Sequence, residues 1–134
     1  MTKKDDPLAA LISSDTGATD RTKLAELLTP YLIIDQDSKE FSFHPELHEV
    51  DGNNTRIEIL LAGAKARALY FELPDGLLPA EIIGAGLMPE GSVKTSLKRL
   101  LDTHKIKRNK EGRYFLPAHR VPDLIKKLGA NKSI

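Results

Sequence analysis

The sequence predicts an α+β fold, and three observations carry that reading. Val93, Leu97, Leu100 and Leu101 recur at helical spacing, one face of an amphipathic helix. Two pairs of short strand-like runs flank turn residues, at 31–35 with 40–44 and at 105–108 with 113–116. From Thr55 onward the order reads helix, short strand, helix, turn, helix, hairpin, helix.

The 134 residues fit one domain with room for a hydrophobic core, and 40% of them are apolar. No run of about 18 uncharged apolar residues occurs, so no membrane-spanning helix is expected. Residues 1–7 contain Lys3 and Lys4, but acids follow, and the apolar run at 8–14 is short for a signal peptide. Cysteine is absent, which excludes disulfides, zinc–thiolate sites and cysteine nucleophiles and makes a cytoplasmic location the default expectation. Residues 1–55 hold five Lys/Arg against eleven Asp/Glu, a net of −6; residues 56–134 hold fifteen against eight, a net of +7. The split points to a basic functional face in the second half.

Residues 1–20 read as an arm, with a short helix over 8–12. Asp20 is placed to cap a helix over 21–28 that buries Leu24, Leu27 and Leu28, and Pro30 ends it. The first hairpin turns at 36–39 and covers Phe41 and Phe43; Pro45 stops its second strand. Residues 51–54 read as loop. Thr55 and Glu58 have capping-box spacing and start a helix reaching about Leu73. Its apolar residues reach round most of its circumference, interrupted mainly by Lys65 and Arg67. It is therefore either sandwiched within the chain or a dimer interface. Pro74, Asp75 and Gly76 make a turn and Leu77-Leu78 a short strand. Pro79 opens a helix to Ala85, with Ile82 and Ile83 inward. After a turn at 86–91, Gly91 or Ser92 caps the amphipathic helix, which ends near His104. Gly112 supplies the positive φ of the second hairpin loop. Pro122 and Asp123 open a last helix with Val121, Leu124, Ile125 and Leu128 inward and Gly129 as its stop. The chain thus divides into an arm (1–20), an acidic helix-and-hairpin extension (21–54), a body (55–128) and a tail (129–134).

The stretch from Gly91 to Arg113 holds eight Lys/Arg against Asp102 and Glu111. Helical spacing puts Thr95, Lys98, Arg99 and Asp102 opposite the apolar face, with Lys94 and Ser96 at the borders. A helix about 10–12 Å across fits the major groove of DNA. Lys98 and Arg99 suit guanine, and Thr95 suits base edges or a thymine methyl. In the hairpin, Lys105, Lys107, Arg108, Lys110 and Arg113 alternate in direction, so only some face a duplex at once. Their contacts go mainly to phosphate or the minor groove.

Gly91-Ser92-Val93-Lys94 through Leu100-Leu101, then Ile106-Lys107-Arg108, then Gly112-Arg113-Tyr114-Phe115-Leu116-Pro117 resemble the winged helix-turn-helix superfamily of DNA-binding domains, over roughly residues 55–128. The resemblance implies a three-helix core with a two-stranded wing, preceded here by a helix and hairpin. It implies double-stranded DNA as partner, in transcription regulation or DNA maintenance. Ser92, Lys94, Thr95, Lys98 and Arg99 would belong to the recognition helix; Lys105, Lys107, Arg108, Lys110 and Arg113 would belong to the wing. Many such proteins are two-fold dimers, which makes the helix from Ile57 to Phe71 a candidate homodimer interface. The turn at 86–91 is longer than in simple helix-turn-helix proteins. The competing reading is a winged-helix interaction subunit whose basic face docks an acidic protein. Pairing of the basic groups with Asp102 and Glu111 favours that alternative, and a continuous positive face favours DNA.

Enzymatic readings lack their residues. His44 and His48 are four apart, but Pro45 interrupts a helix there and no metalloprotease Glu follows. His104 reads as a helix-end residue and His119 as a solvated loop residue. Gly84, Gly86 and Gly91 are too sparse for a phosphate-cradling nucleotide loop, and Ser13 and Ser14 have no triad partners. The expectation is a protein with no catalytic residue, no metal ligand and no cofactor.

Overall fold

The longest helix among the described residues has apolar residues on nearly every side, and the helices Arg21–Leu28, Glu90–Asp102 and Arg120–Lys132 and the strand Tyr114–Phe115 pack on it. The computed structural model describes residues 21–132, with side chains as far as Gly129. The expected arm with its helix at 8–12, the Asp20 cap and the last two residues of the tail lie outside the described residues. In chain order the elements are α1 (Arg21–Leu28), β1 (Leu32–Ile34), β2 (Phe41–Phe43), α2 (Glu46–Glu49), α3 (Asn53–Phe71), α4 (Pro79–Gly84), α5 (Glu90–Asp102), β3 (Lys107–Arg108), β4 (Tyr114–Phe115) and α6 (Arg120–Lys132). The fold is α+β, with two separate two-stranded antiparallel sheets among the described residues. No helix among them is long and apolar enough to cross a membrane.

Helix α3 buries Ile57, Ile59, Leu60, Leu61, Ala62 and Ala64 almost completely. Its cover comes from the same chain: α1, α5, α6 and β4 all pack on it. The sandwiched alternative therefore describes this helix, and of its residues Tyr70, near the far end, is 67% exposed. Gly63 shows how close the cover lies. A Cβ there would sit 2.9 Å from Leu32 Cδ2 and 3.3 Å from Phe41 Cε1. The two cations that interrupt the apolar surface are both tied down. Lys65 Nζ meets Asp75 Oδ2 at 2.6 Å. Arg67 donates to the Lys39 carbonyl at 3.0 Å and lies 4.4 Å over the Phe41 ring.

The hairpin β1–β2 pairs Leu32 with Phe43 and Ile34 with Phe41. Its turn is organised by Asp35, whose Oδ2 accepts the N–H groups of Ser38 and Asp37. Those hydrogen bonds, with that of Ser38 the largest cause, hold the Asp35 carboxyl below its usual range. Leu24, Leu27, Leu28, Tyr31 and Leu32 of this N-terminal part belong to the same core cluster as Leu60, Leu100 and Leu124.

Several local expectations are corrected. Helix α2 is unexpected: Pro45, which follows the end of β2, stands at its N-cap, and the helix begins at Glu46, so His44 lies outside it. Helix α3 starts at Asn53, inside the expected loop, with Gly52 at its N-cap. Thr55 and Glu58 are therefore not a capping box; both are buried, at 2% and 0% exposure, within the helix. Helix α5 starts after Pro89, so Gly91 and Ser92 lie in its first turn rather than capping it. Ser96, expected at the border of α5, is buried. Gly129 does not stop α6, which continues to Lys132. A glycine ends a helix by turning left-handed, and Gly129 has no positive φ. Nothing lies within 4 Å of a Cβ built there. Gly129→Ala should accordingly stabilise the fold by about 0.5–1 kcal/mol, read as a higher urea midpoint.

Candidate nucleic-acid interface

Helix α5 divides as its spacing predicts. Val93, Leu97 and Leu100 are buried against α3 and α4, and Lys94, Thr95, Lys98 and Arg99 are exposed. Burial of the three apolar side chains, worth about 1.5–3 kcal/mol each, fixes which side faces out. Lys98 and Arg99 form no ion pair among the described residues, and neither do Asp102 and Glu111. Lys94 lies 3.4 Å from Glu90, with both side chains more than 60% exposed. Such a pair contributes little and opens readily. The Thr95 hydroxyl donates to the Gly91 carbonyl at 3.0 Å, which leaves the oxygen able to accept a further hydrogen bond. Ser92 is half-buried at the first turn.

The second hairpin is small but well anchored. Lys107 pairs with Phe115 and Arg108 with Tyr114. Asn109 organises the tip: its Oδ1 accepts the N–H groups of Glu111 and Arg113. Gly112 takes φ +82, the conformation expected of it. At the root, Leu77 and Tyr114 exchange both backbone hydrogen bonds, at 2.9 and 2.8 Å, so the segment before α4 extends the sheet edge.

The five hairpin cations are not equivalent. Lys107 and Lys110 are exposed and unpaired among the described residues, and Lys105 is half-buried. Arg108 is exposed but lies 5.6 Å over the Tyr114 ring. Arg113 turns back into the protein: its Nη1 is 3.3 Å from both the Gly76 carbonyl and Glu81 Oε1. Glu81 in turn accepts the Leu78 N–H at 2.9 Å. Arg113 thus ties the hairpin to the start of α4, and its charge is matched before any ligand arrives. Sequence spacing brings the ten residues together but does not separate the outward cations from this anchoring one.

Two further groups lie beside this face. Arg99, Ser92 and Thr95 line an open groove of about 600 Å³ together with Asn54 and Thr55 of α3 and Lys127 of α6. Lys127 and the start of α3 are remote in sequence, and no local pattern signals their approach. His44, His48, His104 and His119 join no cluster of three or more metal-ligating side chains among the described residues. No protein-family model, curated protein or solved structure matches the chain.

Proposed function

We propose that residues 53–128 form a winged helix that binds double-stranded DNA, with α5 as recognition helix and β3–β4 as wing, in transcription regulation or DNA maintenance. One observation carries the reading: the outward face of α5 presents Lys94, Thr95, Lys98 and Arg99 side by side, on a helix whose other face is held in the core. The order α3, Leu77, α4, α5, β3, β4, α6 and the Leu77–Tyr114 pairing support the same architecture. Lys107 and Lys110 on the hairpin extend the positive surface toward flanking phosphates. Asp102 and Glu111, the acids within the stretch, pair with none of its cations among the described residues; Lys94 and Arg113 pair instead with Glu90 and Glu81, outside it. That arrangement favours DNA over an acidic protein partner.

Fluorescence anisotropy with a mixed-sequence duplex at two salt concentrations tests this. Micromolar binding should weaken steeply with salt, by a log–log slope of about −0.9 per phosphate engaged. Lys98→Ala with Arg99→Ala should weaken binding to a selected site by about 1–3 kcal/mol for each base that is no longer read. Affinity unchanged in that folded double variant would remove α5 from the interface.

A further inference from the structure

We infer that the groove between the starts of α3 and α5 binds a phosphoryl group, an assignment that does not rest on the duplex reading. Two helices of 19 and 13 residues begin at its walls, and neither has a side-chain cap. The first backbone bonds returning to the cap positions are Arg56 N–H to Gly52 and Val93 N–H to Pro89. The N–H groups of Asn54 and Thr55 on one side, and of Gly91 and Ser92 on the other, therefore have no helical acceptor. Both helix starts also carry partial positive charge.

Two unpartnered hydroxyls on largely buried residues of the groove point independently to a ligand. Thr55 and Ser96 are 2% and 5% exposed, both line the groove, and neither hydroxyl has a hydrogen-bond partner among the described residues. Other helix-associated threonines behave differently: Thr29, Thr95 and Thr103 return their hydroxyls to the carbonyl four residues back. Neither oxygen belongs to the fully buried atoms that lack a partner, so each keeps an opening to the groove it lines and is free to bond a group bound there. Arg99 and Lys127 add positive charge at the same walls, with Asp51 the one acid lining them. Lys127 also lies 3.9 Å from Glu58.

The donor set selects the ligand class. Backbone N–H groups, hydroxyls, a guanidinium and an ammonium can all donate, and a phosphoryl group offers only acceptors and negative charge. The groove, at about 600 Å³, is larger than one phosphate. The group therefore arrives on a larger body, either a nucleic-acid backbone or a small phosphorylated molecule.

The test is an amide chemical-shift titration of the ¹⁵N-labelled full chain with inorganic phosphate, at ionic strength held constant with chloride. Saturable shifts are expected at Asn54, Thr55, Gly91 and Ser92. Thr55→Val with Ser96→Ala should weaken binding by roughly tenfold while leaving the melting temperature in place, because these hydroxyls make no bond within the fold. Non-saturating shifts, shifts shared equally with Lys98, Lys107 and Lys110, or an unchanged affinity in the folded double variant would each overturn the assignment. A second titration with a short duplex separates the two sources. If the duplex moves the same amides and phosphate competes with it, the groove holds a backbone phosphate. If the duplex fails to bind or leaves them unmoved while phosphate saturates them, it holds a free phosphorylated molecule. Failure of the duplex alone to bind sinks the proposed function and leaves the groove assignment standing.

Discussion

Arg120→Met should lower stability by about 3–5 kcal/mol, read as a fall in the urea midpoint at unchanged m-value. Glu58 is fully buried on α3, and Arg120 Nη2 of α6 is 3.4 Å from its Oε2. Arg120 Nη1 also holds Asp123 at 3.0 Å, which fixes the guanidinium at the start of α6. Without Arg120, Glu58 keeps only Lys127, at 3.9 Å. Its Oε1 already has no hydrogen-bond partner. A buried carboxylate left in that state is costly, whereas an apolar pair of similar volume is not. Adding Glu58→Met to Arg120→Met should therefore restore most of the stability. A single variant destabilised by less than about 1 kcal/mol, or a double variant that restores nothing, would show that this charge pair does not hold α6 on α3.

Gly76→Ala should cost about 2–4 kcal/mol, the sum of a left-handed backbone and an overpacked neighbour. Gly76 has φ +88, and a Cβ there would lie 2.6 Å from the Tyr114 carbonyl oxygen. That oxygen accepts the Leu77 N–H, and the Gly76 carbonyl accepts from Arg113. The nearest atom is backbone and has no rotamer to change, so the hairpin root itself must shift. The urea midpoint should fall, and the amide shifts of residues 107–115 should move more than those of α1. An unchanged midpoint would mean that the root of the hairpin yields freely.

Much of this architecture is written in local pattern. Leu24, Leu27 and Leu28 mark α1, the alternation around Phe41 and Phe43 marks the first hairpin, and Val93, Leu97 and Leu100 orient α5. Each rests on a period or a turn residue that acts within a few positions. The errors occur where a local signal has two meanings. A Thr followed by Glu three residues later serves a helix start, but the same spacing places both on the buried side of a helix already under way. Glu58 is explained by Arg120, 62 residues distant, which no local pattern reaches. Pro45 follows the end of a strand as expected but also stands at the start of α2, and Pro89, within the expected turn, stands at the start of α5. Gly129 resembles a stop but lies on an exposed helical surface where the missing side chain is tolerated. In the candidate interface, composition locates the cations, but only tertiary packing distinguishes outward Lys98 from Arg113, which is directed at Glu81.

The packing of Leu32 against Gly63 has a consequence for how this chain can vary. A side chain at position 63 would press on Leu32 and Phe41, so the hairpin side chains that cover α3 would have to shift. Leu32 of the acidic first part and Leu100 of the basic second part lie in one core cluster, so the two parts are packed as a single body.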